Sequence, residues 1–185
     1  MSAPSDEQLM LALRDGDLSA FEALFRRHYE TVRVTCARTS ASDDGGDDLA
    51  QETFLRILRH RSTFRGDARF TTWVYRIARN VCLEYLARAS RDRRLAEQWG
   101  AEASAPASSA GGDDVAQLEA AMRALSPEHR DVLVLCRYQG LSFSEIGEIL
   151  GCTPGAARVR AHRALQALRA SYLALEDAGN RPATG

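Results

Sequence analysis

The chain has 185 residues with 45% hydrophobic and 26% charged side chains, the balance of a soluble globular protein with one or two small domains. No apolar run approaches the ~20 residues of a membrane span, and the start Met1-Ser2-Ala3-Pro4-Ser5-Asp6-Glu7 lacks the basic opening and apolar centre of a secretory signal. A cytoplasmic chain with no membrane insertion is expected. The net charge of −1 argues against a nucleic-acid binder only as an average, because charge is segregated along the chain.

The first unit, residues 5–95, reads as helical. Phe21, Leu24, Phe25, His28, Tyr29 and Val32 recur at the spacing of one helix face, with His28 read as a packed residue rather than a ligand. Acid gathers in Asp43, Asp44, Asp47, Asp48 and Glu52. After the start signal Gly45-Gly46-Asp47-Asp48, the next helix puts Ala50, Phe54, Ile57 and Leu58 on one face. Asp48, Gln51, Glu52, Leu55, Arg56 and Arg59 share the other, which periodicity leaves open between a docking surface and a solvated face with one stray leucine.

From Phe54 to Arg94 there are eleven arginines against three acids. A loop over 61–69 leads into a helix whose buried stripe is Phe70, Trp73, Val74, Ile77, Ala78, Val81 and Tyr85, leaving Arg76, Arg79 and Asn80 off the stripe. Arginines beside a loop phenylalanine, Phe64, are the combination that single-stranded nucleic acid uses: guanidiniums neutralise phosphate and an apolar wall receives an unstacked base. Composition alone favours Phe64 as a core plug. All 24 basic residues are arginine, which a GC-rich genome explains as readily as a need for forked donors.

Residues 96–114, with Trp99-Gly100-Ala101 leading into a run rich in Ala, Ser and Gly, read as a flexible linker. The second unit, 115–175, is sharply punctuated. Val115, Leu118, Met122 and Leu125 form a stripe, Ser126-Pro127 caps the next helix, and Gly140 ends it. Ser142-Phe143-Ser144-Glu145 fits a capping box, and Gly151-Cys152-Thr153-Pro154 breaks and restarts the helix. The inner face of the last helix is read as Ala157, Ala161, Ala164, Leu165, Leu168 and Tyr172; Arg158, Val159, His162, Arg163, Gln166 and Arg169 face outward. Two helices joined this way have helix-turn-helix spacing, and the outer face is basic, so DNA binding is expected. Residues 176–185 read as a disordered tail.

The fold class expected is therefore all-α: two small helical domains joined by a flexible linker, the second a helix-turn-helix domain. Cys36, Cys82, Cys136 and Cys152 are far apart, with no zinc-finger spacing, so neither a metal nor structural disulfides are expected. There is no phosphate-cradling glycine loop or nucleophile-base pair, so no cofactor and no enzymatic activity are expected either. A stand-alone helix-turn-helix repressor is the alternative; it leaves the Asp48/Gln51/Glu52 face without a role.

Together the halves resemble the extracytoplasmic-function (ECF) group of bacterial sigma factors. The resemblance rests on Asp47-Asp48-Leu49-Ala50-Gln51-Glu52-Thr53-Phe54, on Thr63-Phe64-Arg65-Gly66 through Phe70-Thr71-Thr72-Trp73-Val74-Tyr75-Arg76-Ile77-Ala78-Arg79-Asn80, and on Leu125-Ser126-Pro127-Glu128 followed by Gly140-Leu141-Ser142-Phe143-Ser144-Glu145-Ile146. It implies that Asp48, Gln51, Glu52, Leu55 and Arg56 dock on the clamp helices of the largest RNA polymerase subunit. It implies that the loop at Phe64 and Arg65, with Asn80 behind it, holds a flipped non-template base of the proximal promoter element, while Arg76 and Arg79 hold opened DNA. It further implies that Arg158, Val159, His162 and Arg163 meet double-stranded DNA at the distal element, and that an anti-sigma protein is a partner. The chain departs from the family pattern P-x-G-T-V-[KR]-S-R, with apolar Ala156, Ala157 and Val159 near the helix start.

Overall fold

The computed structural model describes residues 3–42, 45–98 and 113–179, all helices, turns and loops with no strand among the described residues. The first unit holds α1 (Asp6–Arg14), α2 (Leu18–Ser40), α3 (Gly45–Arg59) and α4 (Phe70–Gln98), with a 3-10 turn at Arg61–Thr63. α1 begins in a capping box, the Ser5 hydroxyl accepting from the Gln8 N–H and the Gln8 side chain accepting from the Ser5 N–H. Asp17 caps α2. α4 borrows its cap from far upstream: the Glu7 carboxylate accepts the Phe70 N–H at 3.0 Å.

Helices α2, α3 and α4 surround a core of Leu24, Val32, Cys36, Ala50, Phe54, Ile57, Val74, Ala78 and Cys82, and α1 adds Leu9, Met10 and Leu13. The α2 aromatics Phe21, Phe25 and Tyr29 all pack on Phe54 of α3, with centroids 4.8 to 6.1 Å apart. His28 is half-buried, bonded to Asp6 at 2.8 Å and set edge-on to Phe70, as read from its place in the stripe.

The second unit holds α5 (Asp113–Ala124), α6 (Pro127–Leu133), a π-helical continuation at Val134–Tyr138, α7 (Phe143–Leu150) and α8 (Pro154–Gly179). The Ser126 cap, the Ser142/Glu145 capping box and the left-handed Gly151 stop stand where the sequence placed them. α8 packs against α5, α6 and α7, closing a core of Leu125, Val132, Leu135, Ile146, Ile149, Ala157 and Ala164.

Several sequence expectations are corrected. α4 runs past residue 95 to Gln98, and α8 continues to Gly179, so 176–179 are helix rather than tail; the rest of the expected linker and tail, 99–112 and 180–185, lie outside the described residues. Tyr85 and Leu165, which periodicity places on buried faces, are 36% and 44% exposed, and Val115 and Leu118 of the α5 stripe are 57% and 40% exposed. Leu165 sits one step, about 100°, round the helix from buried Ala164, which turns it outward. Val115 and Leu118 line a groove of ≈ 380 Å³ between α5 and α2 that no described segment fills. Tyr85 borders a cleft between α3 and α4.

Candidate functional site

The amphipathic pattern of α3 places Asp48, Gln51 and Leu55 in solvent, Leu55 at 46% exposure, with Glu52 and Arg56 half-buried beside them. Arg56 is not a free cation. Its Nε donates to Glu52 at 2.7 Å, and its two terminal nitrogens donate to the two oxygens of Glu84 on α4, each at 2.7 Å. The fork holds the Glu84 carboxyl below its usual range. Asp48, Glu52 and Glu84 line a cleft of ≈ 570 Å³ together with Arg56, Arg88 and Tyr85, so the face carries charge of both signs beside the exposed Leu55.

Phe64 is a core plug, as composition alone favours, and its ring is not an exposed base platform. It is 2% exposed, edge-on to Trp73 at 5.5 Å and to Phe70 at 6.4 Å. A wide apolar ring at the foot of α4 gains more from this packing than from water. Arg65, Arg76 and Asn80 are exposed as read. Arg79 is not: its Nε donates to Asp131 of α6 at 2.5 Å, with 21% of its side chain accessible against 3% for Asp131. Burial pushes the Asp131 carboxyl up and Arg79 pulls it back.

On α8, Arg158, Val159, His162 and Arg163 are all exposed, together with Arg160, Gln166 and Arg169. The Arg158 guanidinium lies 5.3 Å from the Phe143 ring centroid, within cation–π range. Thr153 caps the helix by accepting the Ala156 N–H at 3.2 Å. The turn before it is tight: a Cβ on Gly147 would meet the Cys152 carbonyl oxygen at 2.6 Å.

The sequence reading missed the residues that join the two units. Besides Arg79–Asp131, the Tyr75 hydroxyl donates to the Gln139 side-chain oxygen, and the Gln139 nitrogen donates to Thr35 at 2.6 Å. Arg69 meets Glu145 at 2.9 Å, and Arg38 stacks 3.6 Å above the Tyr138 ring. Arg130 donates to the Met122, Arg123 and Leu125 carbonyls at the end of α5 and to Thr39 of α2. One signal was available: Arg130-Asp131 abuts the apolar run Val132-Leu133-Val134-Leu135, where a charge must find a partner.

A model of sigma-70 region 2 matches residues 24–92, and one of sigma-70 region 4 matches 116–168. RNA polymerase sigma factor CarQ of Myxococcus xanthus is 37% identical over 86% of this chain and 93% of its own length. ECF RNA polymerase sigma factor SigE of Mycolicibacterium smegmatis is 37% identical over 92% and 70%. The chain belongs to the ECF RNA polymerase sigma factors. It is thus a promoter-specificity subunit that binds core RNA polymerase and directs initiation at promoter DNA. As an ECF sigma factor it carries region 2 on α2–α4 and region 4 on α5–α8. The solved structure of CnrH in complex with the cytosolic domain of CnrY superimposes with a TM-score of 0.68 at 27% identity, covering 95% of this chain and 99% of that one. Among the described residues, no helix of this sigma factor is long and apolar enough to cross a membrane.

Proposed function

We propose that the α3 face, Asp48, Gln51, Glu52 and Leu55, is the surface that docks on the clamp helices of the largest polymerase subunit, with Arg56 holding Glu52 in place. Asp48 and Glu52 beside an exposed leucine suit a helical partner that offers basic and apolar side chains: the charges steer the encounter and Leu55 supplies apolar contact. In the proximal element, Arg65, Arg76 and Asn80 line the exposed edge of α4 and its preceding loop. They hold the opened strand while Phe64 stiffens the loop from beneath. Extracting a base costs a few kcal/mol, which these contacts offset. Arg79 joins them once it leaves Asp131.

At the distal element, α8 enters the major groove, where Arg158 and Arg163 meet guanine edges or phosphate, His162 adds a further polar contact, and Val159 meets a thymine methyl. The likeness to CnrH, solved in complex with the cytosolic domain of CnrY, supports a protein partner, which we read as an anti-sigma factor, and a subunit of RNA polymerase is expected in the cytoplasm. The observation that carries the docking assignment is the solvent-facing Leu55 beside Asp48 and Glu52. The test is gel filtration with core RNA polymerase. Wild type co-elutes and Glu52→Arg does not; failure of folded wild type to bind overturns the reading.

A further inference from the structure

α1 precedes residues 24–92, the stretch matched to region 2. Its buried residues Leu9, Met10 and Leu13 join the core. Glu7 and Leu11, one turn apart at i and i+4, share a different face, and that face meets the loop between Arg61 and Arg69. The Glu7 carboxylate accepts the Phe70 N–H at 3.0 Å, the donor that opens α4. The Leu11 methyl carbons lie 3.6 and 3.7 Å from the point where a Cβ on Gly66 would stand, beneath a turn whose φ of +78° suits glycine. α1 is itself pinned in place. One oxygen of Asp6 accepts from Arg27 at 2.9 Å and the other meets His28 at 2.8 Å, while Arg27 also donates to the Pro4 carbonyl. The His28 ring in turn stands edge-on to Phe70.

We infer that α1 is a strut for the promoter-reading loop, with Glu7 and Leu11 as positioning residues that hold Arg65 and the start of α4 in the geometry that receives the opened strand. This rests on the assignment of that loop and of the α4 edge to the proximal element. Neither residue touches DNA. An irregular loop samples many conformations, and its apparent affinity for a strand falls with the fraction that is receptive. Glu7 acts at one end by satisfying a free N–H and by setting a negative charge at the positive end of α4. Leu11 acts in the middle by filling the underside of the Gly66 turn. Fixing both points keeps the receptive conformation populated before DNA arrives, so less ordering is left to the binding step.

The test uses the full chain assembled with core RNA polymerase and a pool of single-stranded DNA oligonucleotides carrying a randomised stretch. Sequencing of the retained strands reads selectivity, hydrogen–deuterium exchange over 61–72 reads the loop, and calorimetric titration reads affinity for polymerase. Glu7→Ala and Leu11→Ala are compared with Glu7→Gln and with Ser5→Ala, a control whose hydroxyl caps α1 at the Gln8 N–H and does not reach the loop. Glu7→Ala and Leu11→Ala should exchange the amides of 64–70 roughly tenfold faster, the scale of one lost helix cap. They should enrich the wild-type motif several-fold less at unchanged polymerase affinity. Glu7→Gln, which keeps an acceptor for the Phe70 N–H, should recover much of both, and Ser5→Ala should select as wild type does. If Glu7→Ala does not fold by circular dichroism, Leu11→Ala carries the comparison. A motif enriched as strongly by the folded Glu7 and Leu11 variants as by wild type, or lost equally in Ser5→Ala, overturns the strut. A wild type that enriches no motif, or one that Arg65→Ala leaves intact, overturns instead the assignment of the loop to DNA, and the strut's role in promoter reading falls with it.

Discussion

Arg56 of α3 and Glu84 of α4 face each other through two parallel hydrogen bonds of 2.7 Å, while the remaining Nε of Arg56 holds Glu52. Glu84 is 48% exposed at its side chain, so the pair adds little to stability, on the order of 0–1 kcal/mol. Its role is to fix where Glu52 points. Glu84→Ala is expected to leave the Tm nearly unchanged and to weaken polymerase binding by roughly three- to tenfold, about 0.7–1.4 kcal/mol. Calorimetric titration against core polymerase decides; wild-type affinity in this variant means that Arg56 needs no anchor.

Phe64 separates two roles by stability. As a buried ring between Phe70 and Trp73, its replacement by Ala should cost about 3–5 kcal/mol, seen as a lower urea midpoint, and any loss of promoter opening would follow from that. Phe64→Leu should recover most of both. A fully stable Phe64→Ala that cannot open promoters would return the ring to the DNA.

Glu7 makes the first unit acid-sensitive. The Phe70 N–H holds its carboxyl below the ordinary glutamate value of 4.5, so its folded-state pKa is depressed relative to the unfolded chain. The contribution is present above that value and is lost as pH falls through it toward the depressed one. Urea midpoints of wild type and Glu7→Gln should therefore differ near neutrality and converge in acid. A constant difference at every pH would show that the cap does not titrate.

Gly147 tests the helix-turn-helix. A methyl group there would press on the Cys152 carbonyl and the Pro154 nitrogen, backbone atoms that cannot swing aside. Gly147→Ala should cost about 1–3 kcal/mol and weaken distal-element binding in a gel-shift assay while polymerase co-elution persists. Unimpaired DNA binding would mean that the turn has more room than its geometry shows.

Local signals in the sequence carried the helices well: Ser126, Ser142 and Gly151 act where capping chemistry put them, and the outward face of α8 is as read. Tertiary choices were less legible. Phe64 and Arg79 have the same composition as a nucleic-acid site, and only the approach of Trp73 to one and Asp131 to the other decides their surroundings. Val115 and Leu118 show the same limit, because helical period tells which residues share a face and not whether a neighbour covers it.

Cys36 and Cys82 lie together between α2 and α4, with the Cys82 sulfur 3.9 Å from the Cys36 carbonyl oxygen and both residues at most 1% exposed. Contact with Cys36, then burial, pushes the Cys82 thiol up, and burial closes both sulfurs to reagents. Cys136 and Cys152 are partly open. A thiol reagent will therefore count two groups in the intact fold and four after it loosens, which gives the chain an internal clock for the breathing of its first unit without any added label.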